Sequence, residues 1–418
     1  MPNNNGTEWD FRTGWRWLLP IQDVGRVRLY GFTNEEERFW REVLPAPEWK
    51  ADGQPADALL VDGVRCGVQS MPSLGDITAA QMVCMLVSRA QAKRWRRVLY
   101  ETFPKVREYG LLPSHNPRIV VPLSTARHAL VALNLHRPGR WVARFGLMLA
   151  RALVCVGNFE LLRGRTLLIA TRSSDFIPNG AVHAELPERF GQHAMDCALY
   201  LGTMDANRKT VVLPMGDLPP STILKVAASP TARASLNNEA AALSALSQSP
   251  LSAFVPRLVG LVSTDAALTL YQEYRIRHWR FGRAASETTI IRFLAAMSRI
   301  GRERREIDGH FVTGYFCHGD FVPWNLQPDG GGLFVFDWEH SVSWAPAFAD
   351  AFQFIVAPAL LVKREKDILN IEAHAKAFAA RLADVGGLER AQIDHCWRHW
   401  LTSAAMRMPQ LIPVLENT

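Results

Sequence analysis

The sequence lacks the cysteine arrangements that hold metal ions or small disulfide-rich domains together. Its six cysteines form no Cys-x-x-Cys pair and have no neighbouring histidine cluster. Neither a zinc site nor a disulfide framework is therefore indicated, and a reducing compartment fits the chain. The first residues also lack the basic segment and apolar core of a signal peptide. We therefore expect a cytoplasmic protein rather than an exported one.

An uninterrupted apolar run long enough to cross a membrane is also missing. The best candidate, residues 141–162, is broken by Arg144 and Arg151, which makes it a poor membrane span. It lies within residues 118–165, which contain eight arginines and one acidic residue. Two readings stay open: a helix on an anionic membrane surface, or a helix packed into its own domain with arginines reaching solvent. No nucleic-acid-binding motif accompanies this charge, so we expect no nucleic-acid partner.

The first 190 residues carry the whole net positive charge of the chain. They contain 25 lysines and arginines against 18 acidic residues, whereas the remainder has 22 of each. At 418 residues the chain is long enough for two or three compact units. Predicted elements of this region are strands at Arg26–Tyr30 and Ala58–Asp62 and helices at Glu35–Val43 and Thr78–Thr102.

Alternating strands and helices predict an α/β module with part of a doubly wound sheet. No Gly-x-Gly-x-x-Gly follows any of these strands, so a dinucleotide-binding loop has no support from residues. We interpret residues 1–190 as a substrate-binding, scaffolding or anchoring module. A degenerate methyltransferase-like domain, which would carry the main activity there, is the alternative.

The stretch from His318 to Glu339 places several polar side chains around a predicted β-hairpin. Two short apolar runs, ending at Leu326 and beginning at Leu333, are separated by an Asp-Gly turn. Asp320 and Asn325 would lie on the loop entering the hairpin, and Asp337 at its exit. These oxygen-bearing groups suit phosphoryl transfer, in which a carboxylate orients the attacking hydroxyl and Mg²⁺ is bound by hard oxygen ligands.

The pattern His-Gly-Asp-x-x-x-x-Asn followed by Asp-Trp-Glu resembles the aminoglycoside phosphotransferase and choline kinase family, whose members share the protein-kinase fold. The resemblance spans roughly residues 193–418. It implies an α+β bilobal kinase-like domain, with an antiparallel-sheet N-lobe at 191–274 and a mostly helical C-lobe at 275–418. It also implies that Asp320 is the catalytic base and that Asn325 and Asp337 bind Mg²⁺. His318 and Asp350 would support the catalytic loop structurally.

Lys225 and Glu239 are the predicted pair that fixes the nucleotide phosphates. Lys225 is the only lysine between Lys209 and Lys363, and it stands within an apolar strand. A lone ammonium there is costly unless it meets an anion, such as a phosphate or a helix glutamate. Glu239 lies in an alanine- and leucine-rich predicted helix at 232–248 and is the only acidic residue between Asp217 and Asp265.

Further positions in the predicted N-lobe follow from the same resemblance. Strands at 197–202 and 210–215 would flank a loop over the nucleotide, in which Gly202 stands alone without a glycine-rich signature. Glu273 and Tyr274 would form the hinge beside the nucleotide base. A helix is predicted at Thr288–Arg305, before the catalytic loop.

The sequence thus predicts a cytoplasmic kinase that uses ATP, or GTP, with Mg²⁺. Charges after residue 351 are mixed, so a polycationic aminoglycoside is not favoured over a neutral or anionic hydroxyl compound such as a sugar or glycan. The alternatives are a nucleotide-binding pseudokinase or scaffold and the methyltransferase-like N-terminal activity. A protein kinase is less favoured, because Asp337-Trp338-Glu339 replaces Asp-Phe-Gly and no Ala-Pro-Glu follows.

Overall fold

A computed structural model describes most of the chain. The described residues are 14–19, 25–43, 48–49, 55–66, 71–113, 117–135, 141–159, 162–172, 196–202, 207–216, 220–265, 267–275, 285–329, 332–406, 408 and 411. The chain divides into two compact units. The first comprises Met1–Arg233 and Gly260–Ile276, and the second comprises Ala234–Val259 and Arg277–Thr418.

One mixed sheet of twelve strands dominates the first unit. Its strands are β1 (Arg26–Tyr30), β2 (Glu48–Trp49), β3 (Ala58–Asp62), β4 (Met82–Ser88), β5 (Lys105–Leu112), β6 (Ile119–Pro122), β7 (Arg165–Thr171), β8 (Asp196–Tyr200), β9 (Thr210–Met215), β10 (Thr222–Ala227), β11 (Leu258–Ser263) and β12 (Leu268–Glu273). They lie in the order β11-β12-β10-β9-β8-β6-β5-β7-β4-β3-β1-β2. Strands β2, β1, β3 and β4 pair in parallel, and the successive pairs from β4 through β7, β5, β6, β8, β9 and β10 to β12 are antiparallel.

The predicted strands on either side of residue 190 belong to this one sheet. Strand β6 pairs with β8 through Ile119 with Tyr200 and Val120 with Leu199. The intervening residues 173–195, where the sequence suggested a boundary, lie outside the described part of the chain. Main-chain pairing therefore continues from the parallel N-terminal strands into the antiparallel strands that carry Lys225.

Helices of the first unit are α1 (Asn34–Val43), α2 (Leu74–Ala79), α3 (Arg89–Thr102), α4 (Ala126–Leu133) and α5 (Trp141–Cys155). The predicted helix at Thr78–Thr102 is wrong in its first half, since Met82–Ser88 is the strand β4. A continuous apolar run reads alike as a buried strand or a buried helix. Most of β4 is buried between β3 and β7. The helix begins only where the Ser88 N–H donates to Gln91 Oε1 at 3.1 Å.

The second unit is mostly helical. Its helices are the greater part of α6 (Pro230–Ser247), then α7 (Glu287–Met297), α8 (Ala349–Pro358), α9 (Ile368–Gly386) and α10 (Ile393–Ala405), and a π-helical turn at Ala359–Lys363 follows α8. Strands β13 (Glu303–Ile307), β14 (His310–Cys317) and β17 (Val342–Pro346) form a small sheet, and β15 (Leu326–Asp329) pairs with β16 (Gly332–Val335).

The predicted helix at Thr288–Arg305 is too long, because α7 ends at Met297. The residues from Glu303 onward pair as β13 with β14 instead. Four of the five residues of β13 are charged and exposed, so this strand lies at the surface and shows no helix face. By contrast, the β15–β16 hairpin is confirmed, with Leu326 opposite Val335 and Asp329 opposite Gly332.

An aromatic core fixes α8 and α10 against the small sheet. Phe352 lies 5.1 Å from Trp397 and 5.8 Å from Trp400, measured between ring centroids. Burial of such large rings contributes roughly 2 kcal/mol or more each. Helix α8 is thereby a rigid support for the residues on its other side. Among the described residues, no helix is long and apolar enough to cross a membrane.

Candidate active site

The loop after β14 makes a turn that requires glycine. Gly319 has φ of +78°, and a Cβ there would lie 2.0 Å from the His340 carbonyl oxygen. A side chain at this position would therefore face both left-handed backbone strain and a steric clash. The close approach brings the loop carrying Asp320 against the segment that follows Asp337.

Asp350 anchors this loop from α8. Its side chain is 1% exposed and accepts hydrogen bonds from the His318 N–H at 2.8 Å and the Gly319 N–H at 3.0 Å. Burial raises the pKa of Asp350, and His318 and the backbone donors oppose that shift. A buried carboxyl with two backbone donors fixes the loop much as a helix cap does. A supporting role of Asp350 in catalysis remains a prediction.

His318 links the two strands of the site rather than pointing to solvent. Its Nδ1 accepts from the Asp320 N–H at 3.2 Å, and its Nε2 lies 3.1 Å from the Phe336 carbonyl oxygen. A backbone N–H only donates, so Nδ1 is the accepting nitrogen and Nε2 carries the proton. The ring also packs 4.5 Å from the Trp338 ring. His318 therefore positions Asp320 and Phe336 together.

Two side-chain amides hold the carboxylate of Asp320. Asn325 Nδ2 donates to Asp320 Oδ2 at 3.1 Å and to its carbonyl oxygen at 3.0 Å. Gln353 Nε2, on α8, donates to Asp320 Oδ1 at 3.3 Å. Each carboxylate oxygen thus receives one neutral donor. Such a carboxylate is oriented without a cation among these partners, and it can still accept a proton from a bound hydroxyl.

Gln353 is a site residue that sequence reasoning missed. The residue is 7% exposed, and its Oε1 has no hydrogen-bond partner among the described residues. A carboxylate oxygen can only accept, so the amide nitrogen must face Asp320 and the oxygen must be the other end. A polar residue three positions after Asp350 within the apolar run Ala351–Pro358 was the available signal.

Asp337, two residues after β16, has an unusual backbone conformation. Its φ is 73° and its ψ is 56°, in the left-handed region that aspartate tolerates better than most residues. The following turn is tied to α6: Asn238 Nδ2 donates to the Glu339 carbonyl oxygen at 2.9 Å and the Ser341 carbonyl oxygen at 2.8 Å. Trp338, fully buried, donates from Nε1 to the Val335 carbonyl oxygen at 3.0 Å. Asp337 is therefore held by the turns around it.

The donor set of this region suits a hard divalent cation. Asn325 uses its amide nitrogen on Asp320, which leaves Oδ1 as its possible ligand atom. Asn325 and Asp337 would then provide two oxygen ligands. Mg²⁺ is commonly bound by one or two protein oxygens, with phosphates and water completing its octahedral coordination. No group of three His, Cys, Asp or Glu side chains able to hold a metal occurs among the described residues. Asn325 and Asp337 as the ligands remain a prediction.

The predicted nucleotide-binding residues fall on both units. Lys225, on β10, is 7% exposed, and Glu239, on α6, is 0% exposed. Lys225 belongs to the first unit and Glu239 to the second, so their pairing remains a prediction. Gly202 has φ of +70°, and residues 203–206 after it lie outside the described part.

The predicted hinge lies at the end of β12 in the first unit. Glu273 Oε1 accepts from Arg275 Nε at 3.0 Å, and the Tyr274 N–H donates to the Ser221 carbonyl oxygen at 2.7 Å. Residues 276–284, which follow, lie outside the described part. A role of Glu273 and Tyr274 beside a nucleotide base remains a prediction.

The parallel part of the large sheet has a switch point between β1 and β3, where such folds bind ligands. Arg65, which follows β3, pairs with two acidic residues: Nη1 lies 2.5 Å from Glu36 Oε1 and Nε lies 3.5 Å from Asp62 Oδ2. Glu36 is 6% exposed and Asp62 is 8% exposed. A Cβ on Gly31 would lie 2.4 Å from Cys66 Sγ. A methyltransferase-like role of this region remains a prediction.

Comparisons with known proteins give distant structural likenesses. No family model matches the chain, and no curated protein matches it significantly. A candidate fructosamine-3-kinase from Haemophilus somnus 129PT is 12% identical with a TM-score of 0.37, covering 56% of this chain and 94% of that chain. An aminoglycoside phosphotransferase from Streptomyces rimosus, in complex with ADP and streptomycin, is 15% identical with a TM-score of 0.35, covering 53% and 96%.

A third solved structure, WbdD with the kinase inhibitor LY294002, is 10% identical with a TM-score of 0.27, covering 94% of this chain and 91% of that chain. These identities and TM-scores are too low to assign a fold or an activity to this chain.

Proposed function

We propose that the chain is an ATP-dependent phosphotransferase that phosphorylates a hydroxyl of a small molecule, sugar or glycan. The observation that carries this proposal is the carboxylate of Asp320, held by the amides of Asn325 and Gln353 on a loop anchored to Asp350. A rigidly oriented carboxylate beside candidate Mg²⁺ ligands is what in-line phosphoryl transfer requires from a protein.

Asp320 would act on the acceptor hydroxyl. The hydroxyl proton passes to an Asp320 carboxylate oxygen, the acceptor oxygen forms a bond to the γ-phosphorus, and the bond from that phosphorus to the ADP oxygen breaks. The proton on Asp320 then leaves to solvent. Asn325 and Asp337 would hold Mg²⁺, which when bound would supply positive charge opposite the phosphate oxygens. Lys225 and Glu239 remain predicted contributors to nucleotide binding.

The acceptor we propose is neutral or anionic rather than polycationic. Acidic side chains on the helices after the catalytic loop form salt bridges with basic side chains of the same chain. Glu372 and Asp394 lie 2.7 and 2.6 Å from Lys376 Nζ. Asp384 pairs with Arg390. Such pairs weaken the acidic field that a polycation would need for complementarity.

Binding of Mg²⁺-ATP tests the site directly, because a ligand that binds only the native state raises apparent stability. We compare wild type with Asp337→Asn, which keeps the preference for a left-handed backbone but removes the charge. Asp308→Asn is the matched control, since exposed Asp308 also has a positive φ, of 49°. Thermal stabilisation by Mg²⁺-ATP should occur in wild type and the control and be lost in Asp337→Asn.

Equal stabilisation of all three proteins would exclude Asp337 as the metal ligand, and no stabilisation of wild type by ATP or GTP would contradict the proposal. Nucleotide binding without any formation of ADP, whatever the acceptor offered, would instead identify a pseudokinase. The same thermal measurement with GTP in place of ATP shows which nucleotide the protein prefers.

A further inference from the structure

We propose that the outward face of α5 is a docking surface for an anionic membrane. Four apolar side chains on this helix and the turn after it are exposed to solvent. Phe145 is 58% exposed, Met148 42%, Leu149 44% and Val156 77%. A soluble surface carries single exposed apolar side chains routinely, but a contiguous group marks an interaction site.

The four side chains lie on one side of the helix. Their spacing of three, four and eleven residues from Phe145 places them within an arc of about 100° at 3.6 residues per turn. Ala152, also exposed, falls in the middle of the same arc. The group is therefore a continuous apolar stripe along the helix, which we call the α5 stripe.

Rotation of the helix cannot bury the α5 stripe, because the opposite face is already packed. Ala150 is 7% exposed and Val154 is 0% exposed, and both belong to the core beneath β6 and β8. Arg151 Nη2 also donates to the Leu133 carbonyl oxygen at the end of α4, at 2.8 Å. The helix thus buries one apolar face in the protein and presents another to solvent.

The segment of sequence that contains the α5 stripe carries charge of one sign. Residues 118–159 contain six arginines and no acidic residue. Within the two packed helices the charges are Arg127 on α4 and Arg144 and Arg151 on α5, and Arg127 and Arg144 are exposed. An apolar face flanked by arginine is the composition of helices that lie in the interface of an anionic bilayer.

A second copy of the chain fits this surface poorly. A two-fold interface would place the same patch against itself and bring the arginines of both copies together, and residues 118–159 contain no acidic side chain to face them. Anionic headgroups would instead neutralise the arginines while the acyl boundary takes up Phe145, Met148 and Leu149. The helix packs one face into its own domain and keeps another apolar face exposed.

Vesicle sedimentation of the full chain tests the proposal. Wild type should bind vesicles of phosphatidylcholine mixed with phosphatidylglycerol and release them as salt is raised, since salt screens the headgroup charge. It should bind pure phosphatidylcholine vesicles much more weakly. The double variant Phe145→Ser/Val156→Ser should lower the affinity for the anionic vesicles at least about tenfold.

Leu74→Ser is the matched control, because Leu74 is 61% exposed in the same unit but lies on α2. It should bind like wild type. Failure of wild type to bind anionic vesicles would overturn the proposal, as would equal binding by the double variant. Binding to neutral vesicles as strong as to anionic ones would overturn the assigned role of the arginines. Self-association of wild type that the double variant abolishes, without vesicle binding, would assign the surface to a second copy instead.

Discussion

Substitution of Gln353 separates a catalytic role of its amide from a structural one. Its Nε2 donates to Asp320 Oδ1 at 3.3 Å, while its buried Oε1 has no partner among the described residues. A buried polar atom without a partner does not stabilise a fold. An apolar side chain of similar shape can replace it at little cost in stability. Gln353→Met should therefore melt within a few degrees of wild type.

The same variant should be slower. The amide orients the Asp320 carboxylate, and a long hydrogen bond to a charged group contributes about 1 kcal/mol. Its loss should lower the rate of ADP release by roughly fivefold, because about 1.4 kcal/mol corresponds to a tenfold change in rate.

Gln353→Glu should give a larger effect in the same direction. It places a second carboxylate against Asp320, which removes the hydrogen bond and adds charge repulsion at the same position. We therefore expect the rate of ADP release to fall by roughly tenfold or more.

Release of ADP from Mg²⁺-ATP, with water as the acceptor, provides the assay for both variants. Circular dichroism melting provides the stability measurement. A large drop in melting temperature with an unchanged rate of ADP release would refute this reasoning and make Gln353 a packing residue. An unchanged rate in a stable Gln353→Met would show that the hydrogen bond to Asp320 does not contribute to the reaction.

Three further predictions concern the loop, the turn and the large sheet. Gly319→Ala should lower the free energy of unfolding in urea by about 3 kcal/mol or more. Gly309→Ala is the control: Gly309 has φ of +77° and nothing within 4 Å of an added Cβ, so the loss should be only about 1 kcal/mol. Equal losses would contradict the predicted clash at Gly319. Asn238→Ala should lower the free energy of unfolding by about 1–2 kcal/mol relative to Asn237→Ala. Both variants gain helix propensity, but only Asn238→Ala removes hydrogen bonds to the turn at residues 339–341. Equal unfolding midpoints would contradict this prediction. The hydrogen bond to Asp196 raises the pKa of His128, and burial opposes that shift. Protonated His128 therefore stabilises the folded protein fully below its ordinary pKa, near 6.5, and this stabilisation is lost as pH rises through the raised pKa of the folded state. Melting of wild type and His128→Gln should therefore differ more at pH 6 than at pH 8, and a constant difference would show that protonation is not involved.

Local sequence signals predicted the strands and the hairpin of the structure well. Strands β1, β3 and β9 have the predicted bounds, Lys225 lies within a strand as predicted, and the Asp-Gly turn placed the β15–β16 hairpin. The errors arose where burial on both faces hides the period of two, as in β4, and where an exposed hairpin follows a helix, as after α7. In both places tertiary pairing decided the conformation.

Long-range contacts of the site were beyond the sequence. The spacing of His318, Asp320 and Asn325 along one loop was readable, and Asp350 was identified by resemblance. Gln353 was not, because its role depends on α8 turning one particular side toward Asp320. The clash that requires Gly319 likewise involves His340, which is distant along the chain. Contacts of this kind depend on packing rather than on local pattern.

Turnover by Asp320→Asn tests the central claim most directly. Asparagine retains the size of aspartate and can accept one hydrogen bond, but it cannot take a proton from the acceptor. The rate of ADP formation from Mg²⁺-ATP should fall by roughly 100-fold or more, with the affinity for Mg²⁺-ATP changed by less than about threefold. A variant that forms ADP as fast as wild type would contradict the assignment of Asp320 as the base.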